Sequence, residues 1–146
     1  MLRGNSPAKI DDKGRLKVPN GFRAAIQEEH GRELFVTSLS GASVRIYPMP
    51  VWMEIERRLA QMPSTHPARM KFLDRVNFFG QVAEIDAQGR VLIHPRLRES
   101  ALMTGEVDVL GHQTFLEVWN HDRIVAKLTR DPLTNDELKA LADFGI

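Results

Sequence analysis

Ile10-Asp11-Asp12-Lys13-Gly14-Arg15-Leu16-Lys17-Val18 returns 75 positions later as Ile85-Asp86-Ala87-Gln88-Gly89-Arg90-Val91-Leu92-Ile93. The same offset carries Phe22-Arg23 onto Leu97-Arg98, and an offset of 72 carries Val44-Arg45-Ile46-Tyr47 onto Leu116-Glu117-Val118-Trp119. One half therefore holds a net three extra residues between the two blocks. A single Asp-x-x-Gly-Arg is an ordinary turn sequence. Two in one structural frame make an internal repeat, and the repeat organises the chain.

Within each copy the apolar residues alternate on both sides of the glycine. Ala8 and Ile10 precede Gly14, Leu16 and Val18 follow it, and Lys9 and Lys17 fall between. Period-two alternation broken by a turn predicts a β-hairpin. Asp11 and Asp86 are placed to bond backbone amides ahead of them, and Gly14 and Gly89 to take positive φ. Pro19 ends the strand and suits the start of a helix bearing Phe22, Ala25 and Ile26, closed by Gly31. Strands are predicted at Leu34–Leu39 and Val44–Tyr47, joined through Ser40-Gly41, and a helix from Pro50 bears the stripe Trp52-Ile55-Leu59. That stripe reads as core or subunit interface.

The second half repeats this order. A hairpin runs through Asp86–Arg90, a short helix starts near Pro95, strands follow at Val107–Leu110 and Phe115–Trp119, and a helix covers Arg123–Leu128. Between the halves, Pro63–Pro67 is a linker into a helix over Ala68–Phe79. Thr134-Asn135-Asp136-Glu137 is a capping box for a last helix. The expected division is a first unit over 1–62, linker and connecting helix over 63–80, a second unit over 81–128 and a helical tail over 129–146. Each half alone supports only a marginal core. The expectation is therefore an α+β fold in which two halves bury their strand faces against each other as one pseudo-two-fold unit, with the connecting helix and tail outside.

Composition narrows the function. Of 146 residues, 42% are hydrophobic and 27% charged, the balance of a soluble globular domain. No apolar run spans a bilayer, and Met1-Leu2-Arg3-Gly4 lacks the apolar stretch of a signal peptide, so a cytoplasmic protein without a membrane partner is expected. Without cysteine there is no disulfide, thiolate metal site or cysteine nucleophile. Net charge is only +1, but residues 1–25 hold six cations against Asp11 and Asp12, while residues 131–146 hold Lys139 against four carboxylates. Such asymmetry marks a basic working end. Fourteen of the 20 cations are arginine, whose planar fork suits phosphates and guanine edges.

The two turns would present Arg15 and Arg90 symmetrically, with Lys13 and Gln88 one position before each glycine. A two-stranded ribbon fits the major groove, where arginine bonds O6 and N7 of guanine bidentately. Arg3, Lys9 and Lys17 would contact phosphates, which position the protein without reading sequence. Lys13 is basic and Gln88 neutral, so the first turn is expected to carry the larger share of binding. The bland alternative is two tight turns with solvated arginines.

Other chemistry finds little support. The five histidines lack metal-ligand spacing, and Ser38–Ser43 lacks the Gly-x-Ser-x-Gly of a nucleophile elbow. Asp11 and Asp86 sit in turn-forming rather than acid–base positions, and no glycine-rich phosphate loop is present. No cofactor, metal or enzymatic activity is expected.

The pattern Arg3-Gly4, Ile10-Asp11-x-Lys13-Gly14-Arg15-Leu16-Lys17-Val18-Pro19-x-x-Phe22-Arg23, then Ile85-Asp86-x-x-Gly89-Arg90-Val91-x-Ile93, resembles the MraZ family over nearly the whole chain. Tyr47-Pro48-x-Pro50-x-Trp52 and Arg75-Val76-Asn77 extend the likeness. Leu2, where an aromatic is common, and His94, where proline is common, depart from it. The resemblance implies two AbrB-like swapped-hairpin units in one chain, assembled into a homo-oligomeric ring on double-stranded DNA in the nucleoid. It implies a transcriptional regulator that binds short G-rich tandem repeats upstream of the division and cell-wall gene cluster, usually repressing that operon and its own gene. It assigns DNA reading to Arg15 and Arg90. The competing readings are an oligomeric scaffold whose hairpin arginines clasp a protein, and an antitoxin-like module, against which two units and a helical tail argue.

Overall fold

All 146 residues are described by the computed structural model. Eight strands and six helices alternate along the chain: β1 (Asn5–Ile10), β2 (Arg15–Lys17), α1 (Asn20–His30), β3 (Glu33–Thr37), β4 (Val44–Pro48), α2 (Met49–Leu59), α3 (Pro67–Phe78), β5 (Gln81–Glu84), β6 (Arg90–Leu92), α4 (Pro95–Ser100), β7 (Gly105–His112), β8 (Phe115–Asn120), α5 (His121–Arg130) and α6 (Asn135–Ala142). Mixed helix and sheet is the class the alternation predicts.

The strands form one sheet in the order β5-β3-β4-β8-β7-β1-β2-β6, antiparallel wherever they pair. Its two ends, β5 and β6, are consecutive in sequence and joined by a tight turn, where the Asp86 N–H donates to the Arg90 carbonyl at 3.0 Å. The sheet thus curls almost to a barrel.

Every strand of one half pairs with a strand of the other. β1 pairs with β7, β2 with β6, β3 with β5 and β4 with β8. In two of these ladders a residue meets its own repeat equivalent: Leu16 faces Val91, and Arg45 faces Glu117.

The concave side encloses the main core. Leu16, Val91, Ile85, Ile93, Val44, Ile46, Leu116 and Val118 are wholly buried there. Each such side chain contributes about 1.5–3 kcal/mol relative to exposure. Phe22 and Ile26 of α1 and Leu97 of α4 close the ends. A smaller aromatic cluster lies on the outer face. Trp52 of α2 stacks on Phe35 at 4.6 Å and tilts against Tyr47 at 5.0 Å, with Val76 of α3 beside them. The Thr37 hydroxyl donates to the Val76 carbonyl at 2.6 Å and ties α3 to the sheet. Of the expected stripe only Trp52 is fully enclosed; Ile55 and Leu59 stay half-exposed.

Element bounds differ from expectation where a side chain redirects the backbone. β3 stops at Thr37 rather than Leu39, because the Ser38 hydroxyl accepts from the Gly41 N–H at 2.8 Å and turns the chain. α5 begins at His121 rather than Arg123, since the Asn120 side chain accepts from the Arg123 N–H and caps the helix. The capping box at Thr134 and Glu137 forms in full. α6 nevertheless buries no residue, and Leu133, Phe144 and Ile146 beside it are exposed.

Candidate nucleic-acid interface

Both Asp-x-x-Gly-Arg turns are built on the aspartate. Asp11 Oδ1 accepts from the backbone N–H of Lys13 at 3.0 Å and of Arg15 at 2.8 Å. Its Oδ2 accepts from Arg15 Nε at 2.8 Å. Asp86 repeats the pattern, accepting from the N–H of Gln88 at 2.8 Å and of Arg90 at 2.9 Å, and from Arg90 Nε at 3.0 Å. These bonds favour the ionised form, led in each case by the arginine's backbone N–H, so both carboxyls titrate below the ordinary aspartate value. Gly14 at φ +81° and Gly89 at φ +79° make the left-handed step that closes each turn.

The arginines are therefore held by the aspartates of their own turns. Each Nε is spent on its own aspartate, which orients the guanidinium and leaves its Nη groups without a protein acceptor. Holding a long side chain in advance reduces the entropy lost when it binds.

The β2–β6 ladder brings the two turns together. Arg15 faces Leu92, and Lys17 faces Arg90. The Val18 N–H donates to the Gly89 carbonyl and the Ile93 N–H to the Gly14 carbonyl, each at 2.9 Å. Because Leu16 and Val91 point into the core, Arg15, Lys17, Arg90 and Leu92 share the opposite face. Arg15 and Arg90 are diagonal neighbours on it, a relation that sets residues roughly 7–8 Å apart across adjacent strands.

Lys13 and Gln88 are exposed at the turn tips, and Lys9 is exposed on β1 opposite Glu106. Arg3 is not brought to this group. The bridge between Leu2 and Gln113 fixes it at the far end of β1, beside the β7–β8 connection. Lys17 follows Arg15 in sequence but stands across from Arg90, so it lends its charge to the second turn.

Several groups escaped the sequence reading. Arg98 of α4 lies over Gly14 and Arg23 of α1 over Gly89, each reaching the turn of the other repeat. Their repeat equivalence was visible; their crossing was not. Asp108, 5% exposed, accepts from the Asn5 amide at 3.0 Å and meets His121 Nδ1 at 2.6 Å. That hydrogen bond raises the His121 pKa above the ordinary histidine value. No spacing rule links 5, 108 and 121. No three or more His, Asp or Glu side chains converge as a metal site, and no helix is long and apolar enough to cross a membrane.

The architecture is thus a near-closed antiparallel sheet presenting two held arginines on an open two-stranded face. Comparison with known proteins agrees on one family. A family model described as "MraZ protein, putative antitoxin-like" matches residues 1–75 and 80–144. A protein of Acidobacterium capsulatum named "Transcriptional regulator MraZ" is 49% identical over 146 residues, covering all of both chains. Proteins of the same name from Koribacter versatilis and Herpetosiphon aurantiacus are 45% identical over 147 residues and 36% identical over 151, again covering both chains in full. The chain belongs to the MraZ family.

Proposed function

We propose that the protein is a sequence-specific DNA-binding transcriptional regulator whose reading surface is the β2–β6 face. The observation that carries this reading is the shared placement of Arg15, Lys17 and Arg90 on that face, with both reading arginines oriented by Asp11 and Asp86. Arginine so held matches the O6 and N7 acceptors of guanine, a pairing worth roughly 1–3 kcal/mol of discrimination. Lys9 and Lys13 flank the face as phosphate contacts, Gln88 sits at the second tip, and Arg3 engages DNA only if the duplex extends to the far end of β1. The relatives' name supports regulation of transcription, a binding role rather than catalysis, in a cytoplasmic protein associated with the nucleoid.

The reciprocal pairing of Leu16 with Val91 and Arg45 with Glu117 supports a pseudo-two-fold arrangement of AbrB-like swapped hairpins. Units 1–62 and 81–128 then contribute intertwined halves, with 63–80 connecting them and 129–146 as a tail. Exposed apolar groups on α3, α5 and α6, among them Phe78, Leu128 and Leu138, support assembly with further copies. A closed ring of subunits would offer several reading faces to tandem sites, and linked sites gain roughly 10²–10⁴ in avidity. On this reading the targets are short G-rich tandem repeats upstream of the division and cell-wall genes, with repression of that cluster and of the protein's own gene.

The test is fluorescence anisotropy on DNA from upstream of the protein's own gene, beside scrambled DNA, at two salt concentrations. Preference for the native DNA, lost in Arg15→Ala with folding and assembly unchanged, supports direct reading. Equal weak binding to both DNAs, unaffected by the substitution, replaces it with the protein-clasping scaffold.

A further inference from the structure

We infer that the positive charge offered to DNA phosphates at each turn is supplied across the repeats: Arg98 serves the turn at Gly14, and Arg23 serves the turn at Gly89. The inference builds on the DNA-binding reading above and adds two phosphate-contacting residues to it.

The geometry is reciprocal. A Cβ placed on Gly14 would run into the Arg98 guanidinium and meet its Cδ at 2.6 Å. A Cβ placed on Gly89 would meet Nη1 of Arg23 at 2.6 Å and Cδ at 3.0 Å. Each arginine thus lies flat along the bare backbone of a turn that belongs to the other half of the chain. Glycine is needed twice over at these positions, for the left-handed step and for the close approach of the side chain. Core neighbours anchor both arginines: Phe22 and Leu97, the preceding residues, are buried in the sheet interior.

Charge decides what the crossing arginines are for. In the first turn Asp11 and Asp12 offset Lys13 and Arg15, so residues 11–15 carry no net charge. In the second, Asp86 offsets Arg90 and only Lys17 across the ladder remains. Arg15 and Arg90 are moreover engaged by their own carboxylates, at 2.8 and 3.0 Å. Arg98 and Arg23 have no such partner: neither guanidinium donates to a protein acceptor or lies in an ion pair, and both remain half-exposed. A cation held against a turn backbone and left unneutralised suits a phosphate oxygen. The division of labour follows. The aspartate-held arginine of each turn reads a base, and the crossing arginine anchors the backbone next to it.

Salt dependence tests this in the full-length protein. Arg98→Gln and Arg23→Gln should each lower the slope of log Kd against log salt by about 0.9, the loss of one phosphate contact. Each should weaken binding to scrambled as well as native DNA, without abolishing sequence preference. Arg98→Lys should restore the slope. In double-mutant cycles Arg98→Gln should couple to Arg15→Ala and add to Arg90→Ala, although residue 98 is nearer to 90 in sequence. An unchanged slope overturns the proposal, as does a loss that lysine fails to rescue or a coupling to Arg90 in place of Arg15. If the wild type prefers its native DNA and Arg15→Ala abolishes that preference while the slope ignores residue 98, only this inference fails. If the wild type shows no preference, both fail.

Discussion

Arg45 and Glu117 hold equivalent places in the two repeats and face each other across the β4–β8 ladder, with Nε 3.2 Å from Oε2. Antiparallel pairing of a segment with its own repeat sets like against like. At this point the copies have diverged to opposite charge, and the pair closes the seam between the halves. Glu117 also accepts from the Trp119 indole, and Arg45 donates to the Tyr47 hydroxyl at 3.2 Å while lying 5.1 Å above the Phe115 ring.

Removing one member should therefore cost more than a surface pair. Arg45→Ala leaves a Glu117 side chain that is 12% exposed without its cation. The expected loss is about 1–3 kcal/mol, between the values for exposed and buried pairs, read from urea unfolding. Arg45→Glu should be worse, because it sets two carboxylates directly opposite each other.

Because every strand of the first half pairs with one of the second, the chain should unfold once. Leu16→Ala removes a wholly buried side chain opposite Val91 and should cost about 2–5 kcal/mol. Calorimetry should show the whole transition moving down together, with the calorimetric and van't Hoff enthalpies equal. Two resolved transitions would show that the halves are separable.

Gly14→Ala meets both a positive φ and the Arg98 side chain, and Gly89→Ala the same with Arg23. Each should destabilise by about 1–3 kcal/mol, the cost of a non-glycine residue in the left-handed region. Alanine at Gly4, which has positive φ but nothing within 4 Å, isolates the backbone part of that cost.

Asp11 and Asp86 titrate below the ordinary aspartate value, so their contribution to folding is complete above the unfolded-state pKa. It is lost as pH falls through the lower folded-state pKa. Asp11→Asn keeps an oxygen for the two amides but loses the ion pair with Arg15. Its urea midpoint should fall below that of wild type at neutral pH and approach it in acid.

His121 behaves in the opposite sense. Its folded-state pKa is raised, first by the Asp108 hydrogen bond and then by that carboxylate's charge, with Asp122 and Glu106 adding. The stabilisation is full below the unfolded histidine value of about 6.5 and fades as pH rises through the folded-state pKa. The stability difference between wild type and His121→Gln should accordingly shrink on going from pH 6 to pH 9.

The turns were legible because everything they need is local. Asp11, Gly14 and Arg15 sit within five residues, and bonds of the aspartate to amides two and four ahead are a property of that spacing. The elements along the chain followed from alternation and from the prolines at 19, 50 and 95. Strand partners did not. Alternation says which side chains of β1 face inward, but not that Ala8 lies across from Val107, a choice settled by the packing of residues about a hundred positions apart. The crossing of Arg23 and Arg98 was hidden for the same reason: an arginine on a helix looks like a solvated one until the fold brings a foreign glycine beneath it. Asp108 and His121 looked unrelated because they meet only where the end of β8 passes β7.

The exchange of strands between halves also sets a timetable. A chain made from its N-terminus produces β1 early, but β7 is complete only after residue 112. At roughly 5–20 residues per second, the interval between residues 10 and 112 lasts on the order of 5–20 s. Through that interval β1 has an open edge, as β4 has from residue 48 until β8 is made, and open edges are prone to pairing with a neighbour. A ribosome stalled in the linker would release a fragment in which Leu16 and Ile46 lack their cross-half partners, Val91 and Leu116. Neighbouring nascent chains on one message could then supply each other's missing strands, which makes the pace of translation part of how this sheet is assembled correctly.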